Sequence, residues 1–419
     1  MKLSRTIRVI GLLLLGSASL LTEAQIAHAA DVKSVSRLAF GPDNILFVAD
    51  WKGAQLHALA LPAPVPRSGE GTFNILDLEA LLSKSLGAGK VKVEDMAARP
   101  GSGEVYLAVS IGANKTPAVV AVTSDKKVRE LNLASIKSTT VALKNPNNSK
   151  YEFWNETPER SFTVTDMKWN NGELFVAGLS NQDFASTLRR IPYPFTSQQT
   201  MTSVEIYHTT HNQIETRAPI RAMSFATLGG KPYVVAAYLC TPLVTIPLED
   251  LKDSAHIKGK AIAELGYGNT PADMISYSAK DPSGKPQDML MLLNYQRSGN
   301  IIPVSEVEAA NEKPGIDKPV PAGQIVGVQE TPAPLVGATR IDNLDDQFFI
   351  VVRRELEKDA LQLVSFDKAM LFRLTDYVSE YDFPQYRYNN DEFQLKYFKP
   401  AHDILMKQEG FPELIGTHE

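Results

Sequence analysis

A pattern of about 60 residues recurs six times along the 419-residue chain. Each copy holds an apolar strand, a turn of Gly, Pro, Asn or Asp, a second apolar strand, a polar tip and a third strand. The copies begin at Ser36, Val93, Val164, Ile220, Pro271 and Val336. An all-β unit of this length cannot bury both of its faces alone, so it has to pack against its neighbours in a ring. The repeat therefore predicts a β-propeller.

The second strand of each copy is its most apolar segment. These strands read ILFVA, VYLAV, LFVAG, YVVAA, MLMLL and FFIVV, and such runs are typical of strands covered on both faces. A fourth, outer strand follows in most copies, for example at residues 73–78 after the first copy and 369–374 after the last. We expect an all-β, six-bladed propeller, with seven blades as the alternative.

Both chain ends depart from the repeat. Basic residues precede an apolar stretch at residues 9–21 and small residues at 27 and 29, which is the pattern of a signal peptide. The stretch is shorter than the roughly 20 residues that cross a bilayer. We expect a signal peptide at 1–29, the propeller at 30–374, and a tyrosine-rich closing or capping segment at 375–419. The mature protein would be periplasmic or secreted, with no stable membrane anchor.

The charge and the cysteine content limit the classes of partner and of covalent cross-link that are expected. The formal net charge of −5 comes with mixed signs, which argues against nucleic acid as a partner. Cys240 is the single cysteine, so no intramolecular disulfide forms. Its apolar surroundings favour a small buried side chain. A nucleophile or a thiolate metal ligand is the alternative.

One copy carries a family resemblance. Residues 38–50 read LAFGPDNILFVAD, which resembles the blade core of NHL-repeat and SMP-30/gluconolactonase-like propellers. The resemblance is close over this blade and looser over the other five. It implies the fold, and in the SMP-30-like enzymes a divalent metal in the central channel, held by Glu, Asn and Asp side chains. Arg37 and Leu38 stand where that family has its glutamate.

The first strand of each blade lines the axis, and ionisable residues recur at its start. Asp95, Asp166 and Asp273 each precede a methionine, and Arg37 stands at the matching place in the first copy. Clustered carboxylates favour hard divalent cations, so these aspartates are candidate metal ligands and, with Arg37, candidate binding residues at the channel mouth. The structural alternative is that each aspartate accepts hydrogen bonds from backbone N–H groups of the adjacent turn, with the methionine as its buried neighbour.

A polar loop before the fourth copy is the second candidate site. It contains His208, His211, Glu215 and Arg217. Two histidines and a glutamate are possible metal ligands, whereas the whole loop could instead contact a ligand or partner, or be an ordinary solvated loop. Residues at the tips between second and third strands, including Trp51, Lys52 and Tyr295, gather at one face in a propeller.

No strong catalytic motif accompanies these features. We therefore predict a propeller that binds a protein, peptide or carbohydrate through one face. The alternative is a metal-dependent hydrolase or lactonase with its site at the mouth of the central channel and a divalent cation as cofactor. The two are distinguished by whether metal binds on the axis.

Overall fold

The computed structural model describes residues 30–64, 72–148, 150–153, 157–266, 269–280, 283–321, 323–355, 358–369, 371 and 373. Six mainly antiparallel sheets, each built on an inner strand, form a six-bladed β-propeller. The predicted fold class is confirmed. The predicted signal peptide and the predicted C-terminal segment lie outside the described residues, so these domain assignments stay predictions.

We number the blades by the chain order of their inner strands and give their strands from the axis outward. Blade 1 consists of Leu38–Phe40, Ile45–Asp50, Gln55–Ala60 and Ser138–Ala142. Blade 2 consists of Val91–Ala98, Glu104–Ile111, Thr116–Thr123 and Val128–Glu130. Blade 3 consists of Asp166–Asn170, Glu173–Leu179, Ser186–Pro192 and Thr200–His208. The outer strand of blade 3 also pairs with two short strands, Gln213–Glu215 and His256–Lys258.

The remaining blades follow the same plan. Blade 4 consists of Ile220–Leu228, Lys231–Tyr238, Pro242–Pro247 and Lys260–Glu264. Blade 5 consists of Pro271–Lys280, Pro286–Asn294, Gly299–Pro303 and Thr331–Ala333. Blade 6 consists of Ala338–Asn343, Phe348–Arg354, Leu361–Asp367 and Asn74–Ile75.

Short elements fill the connections. The α-helix Leu78–Leu86 begins at Asp77, whose side chain accepts a hydrogen bond from the N–H of Ala80, and ends at Gly87 in the left-handed conformation. The other elements are the α-helix Val304–Asn311, the 3₁₀ helices Glu159–Thr163 and Leu248–Asp250, and a hairpin of Glu152–Phe153 with Thr157–Pro158. No helix in the described ranges is long and apolar enough to span a membrane.

The order of the blades around the ring differs from their order in the chain. Apolar clusters join blade 1 to blade 2 and to blade 3. Further clusters join blades 3 and 4, 4 and 5, and 5 and 6. The last cluster joins blade 6 to blade 2. The spatial order is therefore 2-1-3-4-5-6, and blade 2 lies between blade 1 and blade 6.

This order results from two strands that leave their expected blades. After the third strand of blade 1, the chain runs to the outer edge of blade 6. There Asn74–Ile75 pairs with Leu363 and Val364. The chain then builds blade 2 and returns to blade 1 as Ser138–Ala142. The prediction of a fourth strand at residues 73–78 for the first blade was therefore wrong, because Asn74–Ile75 belongs to blade 6. The predicted strand at 369–374 lies partly outside the described residues and stays a prediction. An early segment joins the chain's first and last sheets, which ties the ring together.

Candidate functional site

The inner strands place one matching residue each at the start of the channel. From the pairing register with the second strands, these residues are Arg37, Asp95, Asp166, Ala222, Asp273 and Arg340. The structure thus brings together the four axial residues predicted from the sequence. It adds Arg340, which the repeat alignment missed. The repeat alignment counts two residues from the start of the copy at Val336 and so reaches residue 338, whereas the pairing register places the axial residue at Arg340.

Each axial carboxylate joins two neighbouring blades. Asp95 accepts a hydrogen bond of 2.7 Å from the N–H of Leu38. Asp166 accepts one of 2.7 Å from Met223, and Asp273 accepts one of 3.1 Å from Ile341. Each contact reaches the inner strand of the next blade in the ring. The aspartates therefore act as inter-blade clamps. They accept backbone hydrogen bonds, as the structural alternative has it, but from the neighbouring blade and not from the adjacent turn.

Cations surround the same carboxylates. Nε of Arg340 lies 2.6 Å from Asp95, whereas Nη1 of Arg37 lies 3.8 Å from it. Nζ of Lys168 lies 3.1 Å from Asp273. Burial opposes the charged form of Lys168, but the three aspartates around it (Asp273, Asp166 and Asp342) outweigh this effect and raise its pKa. The channel interior is thus a network of mutually neutralising charges.

The residues in the channel show a poor fit to a resident divalent cation. Both oxygens of Asp166 accept backbone N–H groups, from Met167 and Met223. Asp273 accepts two backbone N–H groups as well as Lys168. A guanidinium, that of Arg37, stands where the SMP-30-like family has its glutamate. The assignment of Asp95, Asp166 and Asp273 as metal ligands stays a prediction, and so does the hydrolase alternative.

At one end of the channel the network opens into a cavity of about 430 Å³. We call this end the arginine mouth. Its walls carry six basic side chains and a single carboxylate, together with the rings of Trp51 and Tyr295; the charged residues are Arg37, Lys52, Lys92, Lys115, Arg221, Arg340 and Glu94. Three of the wall residues, Trp51, Lys52 and Tyr295, are the tip residues that the sequence places on one face.

Arg221 differs from its two arginine neighbours. Arg37 donates to the carbonyls of Thr165 and Ser36, and Arg340 is paired with Asp95. The buried Nε of Arg221 has no hydrogen-bond partner within the described residues, and no described carboxylate forms an ion pair with this side chain. Burial, followed by the charges of Arg37 and Arg340, lowers the pKa of Arg221, whereas a hydrogen bond with the side chain of Tyr295 acts in the opposite direction. Within the described part of the chain, Arg221 is a partly buried cation without an anion.

The opposite end of the channel has a different character. A cavity of about 720 Å³ opens there, and its lining includes the six aspartates Asp95, Asp166, Asp273, Asp342, Asp345 and Asp346 but only two lysines, Lys168 and Lys368. We call it the acidic mouth. Burial raises the pKa of Asp342 to about 6. Both oxygens of Asp342 nevertheless accept backbone N–H groups, from Ala98 and Asn343.

The histidine loop lies away from the axis, at the outer edge of blade 3. His208 and His211 place their Nδ1 atoms 3.0 and 2.6 Å from the same oxygen of Glu215. Burial opposes the charged form of His208, but contacts with Cys240 and Glu215 raise its pKa to about 9. Against burial, the two histidines lower the pKa of Glu215 to about 2. Arg217 points elsewhere and lies 3.7 Å from Glu159.

Comparisons with solved structures return proteins of low similarity to this chain. A putative oxidoreductase (glucose dehydrogenase) from Thermus thermophilus aligns with 81% of this chain and 98% of its own, at 8% identity and a TM-score of 0.33. The PQQ-bound aldose sugar dehydrogenase from Streptomyces coelicolor aligns with 82% of this chain and 96% of its own, at 10% identity and a TM-score of 0.32. A catalytically inactive virginiamycin B lyase from Staphylococcus aureus, with quinupristin, aligns with 81% and 87%, at 9% identity and a TM-score of 0.30.

No family model matches the sequence, and no curated protein matches it either. At the identities and TM-scores given above, the structural matches support no inference about activity. The evidence for what this protein does therefore comes from its own side chains.

Proposed function

We propose that this protein is an exported binding propeller that captures an anionic ligand at the arginine mouth. The ligand carries a carboxylate or phosphate group, which can belong to any of the predicted partner classes: a peptide, a protein surface or a carbohydrate. The observation that carries the proposal is Arg221, a partly buried guanidinium that lacks a carboxylate partner among the described residues.

Electrostatics support this assignment. Three guanidinium groups converge where burial makes an unpaired charge costly. Burial first, and then the repulsion from Arg37 and Arg340, lowers the pKa of Arg221. An anion bound between them would relieve that repulsion. The planar guanidinium presents paired N–H donors that match the two oxygens of a carboxylate or phosphate.

The shape of the site supports a small ligand or a single acidic group of a larger one. A volume of about 430 Å³ falls within the range of small-molecule sites. The hydroxyl of Tyr295 lies 3.4 Å from Nη1 of Arg340 and supplies a further polar group. Lys52 lies over the ring of Trp51 at the rim, with its ammonium 5.7 Å from the ring centroid. Exposed lysines of this kind attract anions from solution, and salt screens that attraction.

The test is calorimetric titration of the mature protein at low ionic strength with inorganic phosphate, a uronic acid oligosaccharide and an acidic peptide. We expect saturable binding of at least one probe, with an affinity that falls as salt is added. Arg221→Met should weaken that binding by at least tenfold, since it removes the guanidinium that has no carboxylate partner among the described residues.

Lys231→Met is the matched control. It makes the same change in net charge in the same blade, but Lys231 pairs with Glu249 on the exposed surface. Binding in this variant should equal that of the unmodified protein. The proposal is wrong if no probe binds, or if Arg221→Met and Lys231→Met bind equally well.

A further inference from the structure

A hairpin at the edge of blade 3 brings three metal-ligating side chains together, far in the fold from the inner strands that form the channel. The hairpin joins Thr200–His208 to Gln213–Glu215, and His208 pairs directly with Gln213. Asn212 adopts a positive φ of 50° in the turn, a conformation that asparagine tolerates. The turn carries His211 back over the strand, so that its ring centroid lies 4.2 Å from that of His208.

The three ligand atoms converge. One oxygen of Glu215 lies 3.0 Å from Nδ1 of His208 and 2.6 Å from Nδ1 of His211. One ligand atom from each residue lies within 4.8 Å of the other two. Ligands around a tetrahedral zinc ion, at bond lengths of about 2.0–2.2 Å, are separated by roughly 3.3 Å. Small side-chain rotations are enough to turn this cluster into a coordination site.

The surroundings hold the cluster in place. The imidazole of His208 is 1% exposed, and its Nε2 lies 3.2 Å from Oγ1 of Thr241. A partner on the second nitrogen fixes the tautomer that leaves Nδ1 for a metal. Next along the chain, Thr209 donates to the carbonyl of Lys318 and accepts from the N–H of Val320, which anchors the turn.

We propose that His208, His211 and Glu215 form a binding site for a first-row transition metal, zinc(II) in the first instance. The metal would take Nδ1 of each histidine and a carboxylate oxygen, which leaves a fourth position for water or another ligand. Cys240 contacts the His208 side chain but is not a member of the three-residue ligand group.

The test uses the untagged mature protein, stripped with a chelator and titrated with zinc chloride by calorimetry. We expect one equivalent to bind with micromolar or tighter affinity. His211→Ala should weaken binding by at least tenfold, and Glu215→Gln should do the same. The side chain of His211 is 51% exposed, so its removal should leave the fold intact.

His256→Ala is the matched control, because His256 also lies 3.0 Å from a carboxylate, that of Glu205, and is partly exposed. This pair stands outside the three-residue ligand group, so the variant should bind zinc like the unmodified protein. The proposal is overturned if zinc does not bind, or if His211→Ala binds it as tightly as His256→Ala. Because the site shares no residue with the arginine mouth, neither result bears on anion binding.

Discussion

The two ends of the channel carry opposite charge, and their charged side chains differ in how far they are paired within the protein. At the arginine mouth six basic side chains face one carboxylate, whereas six aspartates face two lysines at the acidic mouth. The aspartates Asp95, Asp166, Asp273 and Asp342 accept backbone N–H groups of the next blade. Arg221, by contrast, has no anionic partner within the described residues.

This difference in pairing distinguishes charged side chains that stabilise the fold from those that remain able to bind a ligand. A buried charge that accepts or donates several hydrogen bonds within the protein contributes to the fold, and its removal leaves its partners unsatisfied. A cation that lacks such partners contributes little to the fold and retains its capacity to bind an anion. Axial position alone therefore does not identify a binding residue. A binding residue is identified instead by charge or hydrogen-bonding capacity that the protein itself leaves unused.

The largest effect that tests this comparison is expected at Asp95. Asp95→Asn leaves Arg340 buried without its carboxylate at 2.6 Å, so we expect the free energy of unfolding to fall by about 3–5 kcal/mol. Anion binding at the arginine mouth should persist, since the variant removes a competing negative charge beside Arg37 and Arg340. Urea unfolding, with phosphate titration of the folded protein, measures both.

Asp125→Asn provides the contrast for this prediction. Asp125 forms an ion pair with Lys127 at 2.7 Å, and both side chains are largely exposed. We expect no measurable change in stability, because solvent screens such pairs. Equal losses in the Asp95 and Asp125 variants would refute the assignment of Asp95 as an inter-blade clamp.

A smaller effect is expected at Asp50, which supports the wall of the arginine mouth. Its carboxylate accepts hydrogen bonds from the backbone of Lys33 and Gly53 and from the hydroxyl of Ser34. Burial alone would raise the pKa of Asp50, but these groups and His57 lower it to about 2. A lowered pKa contributes stability that is present above the unfolded-state pKa near 4 and lost as the pH falls towards 2.

Asp50→Asn should therefore lower the unfolding free energy by about 2 kcal/mol at pH 7. The gap between the unmodified protein and the variant should narrow as the pH falls from 4 towards 2. Urea unfolding at pH 7, 4 and 3 gives the three points needed. A gap that stays constant across this range would show that the carboxylate charge of Asp50 does not stabilise the wall.

Local patterns explain why much of the fold could be predicted. An apolar run such as ILFVA predicts a strand that is buried on both faces. The strand that contains it, Ile45–Asp50, is buried along its whole length. Turn residues are equally local, as at Asn44 and Asn171, which adopt positive φ. Six copies of one local pattern are enough to predict six blades, because each copy has to cover its neighbours.

Partner choice and register could not be predicted in this way. The strand Asn74–Ile75 is two residues long, and nothing in it specifies that it pairs with blade 6 rather than blade 1. The last copy has two more residues than the second to fifth copies between its start at Val336 and its axial residue Arg340, and only the strand register shows this offset. Arg221 is the extra residue of the bulge before Ala222, and the repeat pattern does not mark this position as facing the arginine mouth, which Trp51 and Tyr295 also line.

The smallest expected effect is a change in anion affinity caused by Tyr295→Phe, and it tests whether the two mouths differ in ligand contact. Tyr295→Phe removes one hydroxyl beside Arg340 at the arginine mouth. We expect anion affinity to fall by about fivefold, the equivalent of one hydrogen bond worth about 1 kcal/mol, with no loss of stability. Calorimetric titration with the probe that binds the unmodified protein most tightly measures the change.

The acidic mouth supplies the control for this last prediction. Lys368 lines that cavity and donates to the carbonyl of Asp345. Lys368→Met therefore removes a full positive charge from the end of the channel opposite the proposed anion site. If long-range charge alone drew the ligand, Lys368→Met would weaken binding more than Tyr295→Phe, since a full charge outweighs a hydroxyl group at long range. If the ligand contacts the arginine mouth directly, the neutral change at Tyr295 has the larger effect. The ranking of these two variants therefore decides whether the arginine mouth holds the anion or merely attracts it.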